Sequence, residues 1–145
     1  MTVFTIGYEG LDIDSFVTLL EEHGIDTVVD IRELPLSRKR GFSKKALGTT
    51  LNVHGRSYVH IAALGCPKTV RDVYRTDGDW KRYTEGFVRH LSTQDEAMAG
   101  LSAMSGESNC ALLCYEADFN RCHRSLVAKA LREGFGADIQ HIRSR

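Results

Sequence analysis

The sequence lacks the features of several common protein classes. Its 145 residues contain no uninterrupted apolar run of about 18, so we expect no transmembrane helix and no membrane partner. The amino terminus enters a strand-like segment without a basic stretch and a cleavable apolar segment, and we expect no signal peptide. Basic and acidic residues both number 19, so neither a polybasic tail nor an acidic disordered chain fits. Together these features predict a cytoplasmic globular protein.

The motifs of familiar nucleotide and hydrolase sites are also missing. There is no Gly-x-x-x-x-Gly-Lys-Ser/Thr phosphate loop, no Gly-x-Gly-x-x-Gly fingerprint and no Gly-x-Ser-x-Gly elbow. The four cysteines are unevenly spaced, which makes a disulfide framework an unfavoured interpretation. Zinc is conceivable, but the chain offers neither a Cys-x-x-Cys nor a His-x-x-x-His pair, and we predict no metal and no cofactor. The residues considered for zinc are Cys114, Cys122, His123 and His60.

The order of the predicted elements indicates an α/β fold. Strand-like runs alternate with helical segments, and no linker divides the chain, so one domain over residues 1–145 is predicted. Strands separated by helices need crossover connections. We therefore predict a mostly parallel sheet of about five strands with helices on both faces. The predicted strands are 3–8, 27–32, 58–61, 110–116 and 137–142.

Polar side chains in characteristic places predict where the helices begin and end. Aspartate, asparagine, serine and threonine favour helix starts, and glycine favours helix ends. Between the third and fourth strands, 66–108 is predicted to be an insertion followed by helices, with 66–79 irregular. The predicted starts are Asp12 or Asp14, Ser43, Asp79, a capping box at Thr93-Gln94-Asp95-Glu96, and Asp118 or Asn120, and the predicted stops include Gly24 and Gly134.

Charge is unevenly distributed although the net charge is zero. Residues 1–36 hold eight acids and one base, whereas residues 37–82 hold eleven bases and three acids. The densest stretch, 37–45, has five cations and no acid. Such a run can attract phosphate, a nucleotide or nucleic acid. It could equally be a solvated loop and helix start that offsets the acidic first helix.

Polar residues cluster where the predicted strands end. In an open parallel sheet, ligands bind beyond the carboxyl ends of the strands, so the clustering predicts one site at that edge. The predicted substrate-binding residues are Tyr8, Glu9, Arg32, Ser37, Arg38, His60 and Arg124. The predicted catalytic residues are Glu116, Asp30, His123 and Cys122.

The segment 112–124 is the most informative part of the sequence. It combines a buried strand, a loop and a helix start, where backbone amides are unpaired and the helix dipole is positive. Three basic side chains, Arg121, His123 and Arg124, add to that charge. Because helix starts prefer acids, either an anion binds there or nearby carboxylates pair with the arginines. The candidate carboxylates are Glu116, Asp118 and Asp30.

Cys122 has two interpretations. A thiol at a helix start beside cations should have a lowered pKa and react if it is exposed. Alternatively, it is a small buried side chain at the junction of helix and sheet. A phosphatase-type loop does not fit, because the residue six positions later is Ala128 rather than arginine.

The acid–base assignments also stay open. Glu9, Asp30 and Glu116 end three different strands, and two of these carboxylates could divide acid and base roles. Asp30 and Glu116 could instead orient Arg32 and Arg124 by bidentate pairing. A histidine, either His60 or His123, is the other candidate proton carrier, and each could equally be structural.

Five short segments match the motifs of one known family. They are Thr5-Ile6-Gly7-Tyr8, Val29-Asp30-Ile31-Arg32, Pro35-x-Ser37-Arg38, Leu64-Gly65, and Leu113-Cys114-x-Glu116 ending in Cys122-His123-Arg124. Together they resemble the bacterial and archaeal family called domain of unknown function 488. The resemblance spans nearly the whole chain and departs from the family pattern at Cys66 and Phe119, both in loops. It implies a compact α/β fold and supplies no reaction.

Two functions therefore fit the sequence. The first is an enzyme, such as a hydrolase or transferase, that acts on an anionic, phosphate-bearing substrate at the carboxyl edge of the sheet. A nucleotide or nucleic acid is such a substrate. The second is a non-catalytic module that binds nucleic acid or another anion through the basic segment 38–45.

Overall fold

The strands form one twisted parallel sheet, as the alternating sequence pattern predicts. The computed structural model describes residues 1–144, and within them the sheet has five strands. They are β1 (Thr2–Gly7), β2 (Thr27–Asp30), β3 (Ser57–His60), β4 (Cys110–Cys114) and β5 (Asp138–His141). Their order across the sheet is β3-β2-β4-β1-β5, and each pairing among them is parallel. The predicted fold class is confirmed.

Six α-helices connect the strands over the same residues. They are α1 (Ile13–Glu22), α2 (Lys44–Val53), α3 (Lys68–Asp77), α4 (Trp80–Leu91), α5 (Asp95–Glu107) and α6 (His123–Phe135). Short 3₁₀ turns lie at Ala62–Leu64 and Phe119–Arg121. None of the helices in residues 1–144 is both long enough and apolar enough to cross a membrane.

Asp12 and Asp79 form the predicted helix caps, whereas Ser43 takes the cap position of α2 without a side-chain hydrogen bond to the helix. Asp12 accepts a hydrogen bond from the amide of Ser15 at 2.8 Å, and Asp79 caps α4 in the same way. The predicted capping box before α5 is wrong. Gln94 occupies the cap position, and its side-chain amide donates to the Thr93 hydroxyl at 3.0 Å rather than to the helix end.

The predicted irregular segment 66–79 is wrong, because it contains α3. Pro67 occupies the cap position before the helix, and the helix ends at left-handed Gly78 (φ 63°), a position where glycine is favoured. Its apolar stripe is short: Val70 and Tyr74, one turn apart, pack towards α4. Val70, Val73 and Tyr74 lie at helical spacing, but they are the few apolar residues of a strongly polar segment, and the helix was missed for that reason.

The predicted bounds of the last helix shift at both ends. The Asp118 carboxylate accepts a hydrogen bond from the amide of Asn120 at 3.0 Å and caps a 3₁₀ turn, so α6 itself begins later, at His123. The helix continues past Gly134 and ends at Gly136, which is left-handed (φ 70°). A glycine with positive φ relieves the strain that a side chain would cause there.

The sheet is covered on both faces, as predicted. On one face α1 and α2 bury Phe16, Leu20 and Leu47. On the other, α4, α5 and α6 bury side chains that include Phe87 and Leu131. The central strand β4 is buried at each of its positions, which explains why its sequence is continuously apolar rather than alternating.

The topology opens a crevice above β1 and β4. These two strands are neighbours, but the chain leaves them in opposite directions. From β1 it crosses one face through α1 to reach β2, and from β4 it crosses the other face through α6 to reach β5. Connections that diverge in this way leave space at the carboxyl ends of the strands, which is the usual ligand position in such sheets.

Candidate active site

A pocket of about 970 Å³ lies over that crevice. Tyr8 follows β1, Arg32 follows β2, and Cys114 ends β4, so three neighbouring strands supply its floor. Helix α3 contributes one wall. Of the predicted site residues, the structure brings Tyr8, Arg32, Ser37, Arg38, Glu116 and His123 to the pocket lining.

Arg32 is held in place by a buried carboxylate. Asp30 is fully buried and accepts from Arg32 Nε at 2.9 Å and Nη2 at 2.7 Å. Tyr58 also donates its hydroxyl to Asp30, at 2.5 Å. Because its oxygens are engaged in this way and the residue does not line the pocket, the geometry gives Asp30 an orienting role rather than the predicted catalytic one.

The Arg32 guanidinium faces the pocket as a permanent cation. Burial alone would lower the pKa of Arg32, but the bidentate bond to Asp30 outweighs it and the pKa is raised. Nη1 donates to the Tyr8 hydroxyl at 3.2 Å, and the Tyr8 ring stacks on Phe42 at 4.5 Å. A guanidinium has five N–H donors, so Arg32 retains hydrogen-bonding capacity towards the pocket.

Glu116 places a carboxylate in the pocket floor. The residue is half-buried, and burial raises the pKa of its carboxyl group, while the nearby Arg124 charge opposes the shift. Within residues 1–144, no basic side chain lies within ion-pairing distance of this carboxylate. Glu116 is therefore a chemically available acid or base in the pocket.

Glycine at position 7 allows the Glu116 loop to approach the sheet. A Cβ added to Gly7 would lie 1.8 Å from the Glu116 carbonyl oxygen and 2.9 Å from Arg124 Nη1. No side chain fits in that space. The glycine of the Thr-Ile-Gly-Tyr segment thus allows the loop that carries Glu116 to pack directly against β1.

Arg124 holds this loop from beneath rather than binding substrate. It is fully buried, and its Nη1 and Nη2 donate to the carbonyl oxygens of Glu116 and Ala117, the second at 3.3 Å. Its Nε donates to the Thr5 hydroxyl at 3.2 Å. Burial lowers the pKa of Arg124 to about 10, so it stays charged at neutral pH. The predicted substrate-binding role of Arg124 is corrected to one of support, because the side chain points inward.

Cys122 is bonded to Cys114, a disulfide that the sequence analysis did not favour. Cys114 is the last residue of β4, and Cys122, eight positions later, is the residue just before α6. The loop between them brings the two sulfurs together. Both side chains are buried. In this oxidation state Cys122 has no thiol, and the predicted nucleophilic role is not available to it.

His123 lines the pocket as a neutral ring. Its Nε2 donates to the Ile31 carbonyl at 2.7 Å, which leaves Nδ1 as the acceptor nitrogen, 4.0 Å from Cys122 Sγ. Its ring meets Phe87 edge to face at 5.3 Å. Burial lowers the pKa of His123 to about 4.

Two predicted binding residues stabilise the surrounding loops instead. His60 Nε2 lies 2.8 Å from the backbone carbonyl of Arg32. Glu9 Oε1 accepts from the amide of Ala117 at 2.9 Å. Neither side chain lines the pocket, because each is turned back towards the chain that it supports.

Three of the arginines that line the pocket form no hydrogen bond or ion pair with the described residues. Arg38, Arg75 and Arg121 line it, and over residues 1–144 their guanidinium groups make no hydrogen bond or ion pair. Arg71 also lines it but is engaged, donating to Glu33 at 2.7 Å and to the Cys66 carbonyl at 3.1 Å.

The α3 arginines were missed because that segment was predicted to be irregular. Arg71 and Arg75 are four residues apart, which places them on one face of a helix. Pro67 and Gly78, in typical helix start and stop positions, are the signal that could have found that helix.

The mouth of the pocket is apolar. Leu34, Leu36 and Tyr115 line it, and they are 58%, 72% and 47% exposed. Tyr115 also contacts the Tyr8 ring edge to face at 5.3 Å. Large apolar side chains left this exposed beside a charged pocket are typical of a ligand-binding surface.

The basic run 37–45 does not act as one surface. Lys39 turns inward, where its Nζ donates to the carbonyls of Tyr8 at 2.9 Å and Leu11 at 2.8 Å. Arg38 faces the pocket, as described above. The remaining cations, Arg40, Lys44 and Lys45, are exposed outside the pocket lining.

Comparison with known proteins identifies the family of this chain. No curated protein and no solved structure gives a significant match. A family model described as "Domain of unknown function DUF488" matches residues 12–131, which include the pocket elements from β2 to the start of α6. The fold, the pocket motifs and this match agree, and the chain belongs to the DUF488 family.

Proposed function

We propose that this protein is an enzyme that acts on a phosphate-bearing substrate, a nucleotide or nucleic acid, bound in the pocket over β1, β2 and β4. The observation that carries the proposal is the convergence of Arg38, Arg75 and Arg121 on one pocket with no hydrogen bond or ion pair to the described residues. Guanidinium groups match phosphate oxygens in shape and charge, and three of them lining one pocket favour an anion there.

Arg32 adds a preoriented donor to this set. Because Asp30 fixes its guanidinium, little side-chain entropy is lost when its remaining N–H groups meet a ligand. A hydrogen bond between charged groups contributes about 1.5–3 kcal/mol. Removing one such contact is therefore expected to weaken binding by about 10- to 100-fold.

The apolar mouth favours a nucleotide over inorganic phosphate. Tyr115, Leu34 and Leu36 provide an aromatic ring and two aliphatic surfaces beside the arginines. A base that stacks on an aromatic side chain gains about 1–3 kcal/mol, largely independent of sequence. A phosphate at the arginines and a base at the mouth would use both parts of the pocket.

Glu116 supplies the catalytic group in this proposal. Its carboxylate stands in the pocket floor, with no ion pair to a base among the described residues to neutralise it. From there it can transfer a proton to or from a reacting oxygen in hydrolysis or group transfer. This role separates the enzyme from a module that only binds.

Binding is tested by thermal denaturation with phosphate, sulfate and nucleoside mono- and triphosphates. We expect nucleotides to raise the melting temperature of the wild type, and Arg121→Ala and Arg38→Ala to reduce the shift. Arg89→Ala, an exposed arginine on α4 outside the pocket, is the matched control and should keep the wild-type response. A wild type that no anion stabilises would contradict the proposal.

Catalysis is tested with Glu116→Gln. This variant keeps the size of the side chain and should retain nucleotide-dependent stabilisation while losing turnover of whichever phosphate ester the wild type processes. Equal turnover in Glu116→Gln and the wild type would remove Glu116 from the reaction.

A non-catalytic nucleic-acid-binding module is the second candidate, favoured by the exposed cations Arg40, Lys44 and Lys45. If these three residues bind single-stranded nucleic acid, the logarithm of the binding constant should fall with the logarithm of salt concentration with a slope of about −2. Lys44→Ala should weaken such binding and Glu116→Gln should not affect it. We also propose a cytoplasmic location, which fits both candidate functions.

A further inference from the structure

We propose that Cys114, Cys122 and His123 form a zinc site in the reduced protein, and that the Cys114–Cys122 disulfide is the metal-free, oxidised state of the same site. The proposal goes beyond the function proposed above and does not depend on the substrate. It also departs from the sequence prediction of no metal, because the ligands come from a strand end and a helix start rather than from a short Cys-x-x-Cys motif.

The three ligand atoms are close enough to share one ion. The two Sγ atoms and a ring nitrogen of His123 lie within 4.8 Å of one another. Zinc binds thiolate at about 2.3 Å and imidazole at about 2.0 Å, which places neighbouring ligands of a tetrahedral site about 3.3–3.8 Å apart. Small side-chain movements therefore bring the three atoms into coordinating positions.

The His123 ring is already oriented as a metal ligand. Nε2–H donates to the Ile31 carbonyl at 2.7 Å, so the lone pair of Nδ1 points towards the sulfurs, with Cys122 Sγ 4.0 Å away. Metal-binding histidines usually donate their other ring N–H to a carbonyl or carboxylate, which fixes the tautomer. The fully buried start of α6 provides this arrangement without any metal.

The buried charge of Arg124 points to a thiolate at Cys114. Arg124 is fully buried, and among residues 1–144 no carboxylate lies within ion-pairing distance of it. Its Nη1 is 3.2 Å from Cys114 Sγ. The carboxylates of Glu116 and Asp118 act on this cation only from beyond ion-pairing distance. A disulfide sulfur is neutral, whereas a zinc-bound thiolate would place a negative charge in direct contact with it.

The backbone separation of the cysteines suits two ligands of one ion. The Cα atoms of Cys114 and Cys122 are 7.5 Å apart. Disulfide-bonded cysteines usually have Cα atoms about 4.4–6.8 Å apart, so the loop between these two is wider than such a bond requires. A bridging ion would occupy that extra width.

The fourth coordination position would face the pocket. Cys114 and His123 both line the pocket, and Glu116 Oε2 is 3.6 Å from Cys114 Sγ. Two cysteines and one histidine with an open position form a ligand set that catalytic zinc sites use, the open position holding water or substrate. Glu116 would lie beside a water bound there.

The two states exchange by a balanced redox step. A thiol or phosphine reductant supplies two electrons, two protons are taken up, and the disulfide becomes two thiols. Zinc binding then replaces those two protons, since cysteine coordinates as thiolate. Oxidation by a peroxide or a disulfide compound would remove both electrons, re-form the sulfur–sulfur bond and release the ion.

The test measures zinc bound to the full chain. The protein is reduced with a phosphine, freed of metal by a chelator and titrated with zinc against a chromogenic competitor, and cobalt serves as a spectroscopic substitute. We expect one zinc ion per chain and a thiolate-to-cobalt charge-transfer band. Cys114→Ser, Cys122→Ser and His123→Gln should each weaken zinc binding by about 10- to 100-fold or more.

The chain supplies matched controls for this experiment. Cys66 and Cys110 are buried cysteines outside the disulfide, so Cys66→Ser and Cys110→Ser should retain the zinc and the cobalt band. Circular dichroism shows which variants are folded. No zinc on the reduced wild type, or zinc retained by folded Cys114→Ser, would overturn the proposal. Nucleotide-dependent stabilisation, measured separately, reports on the proposed function and not on this site.

Discussion

Gly7 is a single residue that determines how closely the Glu116 loop can approach the sheet. We expect Gly7→Ala to destabilise the protein by about 3 kcal/mol, because its Cβ would overlap the Glu116 carbonyl and force the β4–α6 loop away from the sheet. Chemical denaturation measures this change. Gly100→Ala is the control: it lies within α5 with nothing near its added Cβ, and should stabilise by up to about 1 kcal/mol. Equal stability of Gly7→Ala and the wild type would contradict the packing described here.

Asp30 provides a second test at the scale of one side chain. Asp30→Ala removes the acceptor of both Arg32 and Tyr58 and leaves a buried guanidinium without its carboxylate. The expected loss is about 3–5 kcal/mol of unfolding free energy. Glu133→Ala breaks an exposed pair with Lys129, of which both side chains are about two-thirds exposed, and should change stability little. Comparable losses in the two variants would show that burial does not decide the effect.

Single residues also show what the sequence could and could not predict. Tyr8, Arg32 and Glu116 were predicted because parallel strands bring their carboxyl ends to one edge. The direction of a side chain at that edge is not determined by strand order. Arg124 turns inward to backbone carbonyls, and His60 turns towards the Arg32 carbonyl, because local hydrogen-bond partners compete with the pocket.

Among the elements, α3 is expected to be the least stable helix. None of its residues is fully buried, and the structure describes the whole of it. Two contacts hold it in place: Val70 packs against Gly86, and Arg71 pairs with Glu33. The first contact is close, since a Cβ added to Gly86 would lie 3.2 Å from Val70. Amides in elements with few buried contacts exchange through low-energy local opening.

Hydrogen exchange tests this expectation. Amides of α3 should exchange faster than those of α6, which buries five residues. If α3 supplies Arg75 to a bound nucleotide, the ligand should slow exchange in α3 and leave the core of α6 nearly unchanged. Protection of α3 equal to that of α6 without ligand would contradict the first expectation.

The elements differ in how clearly the sequence predicted them. Strand β4 is a continuous apolar run and β1 and β2 are mostly apolar, because both faces of the sheet are covered, and the positions of all three were predicted within one or two residues. Helix α3 was missed because its contacts with α4 use only one short stripe, while the rest of its surface faces solvent or the pocket. Local signals were present, since Val70 and Tyr74 lie one turn apart and Gly78 takes the stop position, but few apolar residues mark the segment as a helix.

At the scale of the whole molecule, stability in acid depends on two histidines whose pKa is lowered, His123 and His141, and His141 is the one to test because it lies outside the pocket. Burial lowers the pKa of His141 to about 4, and the charges of Arg124, Arg132 and Arg143 act in the same direction. In the unfolded chain the pKa is near 6.5, so only the unfolded state takes up the proton between about pH 6.5 and 4. Stability is therefore present above pH 6.5 and is lost as the pH falls through this window.

Denaturation at several pH values measures this linkage. The His141→Asn variant should show a smaller loss of stability between pH 6.5 and 4 than the wild type, although it also loses the contacts of His141 with Thr5 and Phe119. The comparison therefore uses the slope with pH and not the stability at one pH. Parallel slopes for the two proteins would contradict the assignment.

Folding brings basic residues from one segment of the chain together at the pocket. The basic segment 37–82 supplies Arg38, Arg71 and Arg75 to one pocket, so the zero net charge of the chain conceals a local concentration of cations. The sequence predicted the asymmetry, but it could not predict that Lys39 would be used inside the fold while Arg38 faces the pocket.

The pocket is assembled from two pieces of chain that the core holds to different degrees. Its floor is rooted in adjacent strands at the centre of the sheet, whereas α3 belongs to a single excursion, 66–108, that leaves after β3 and returns before β4. Within this excursion α4 and α5 pack on the sheet, whereas α3 contributes no buried side chain. The pocket wall formed by α3 can therefore change in composition without altering the strands that precede Arg32 and Glu116, and variants of its pocket-facing residues should fold and differ in ligand preference.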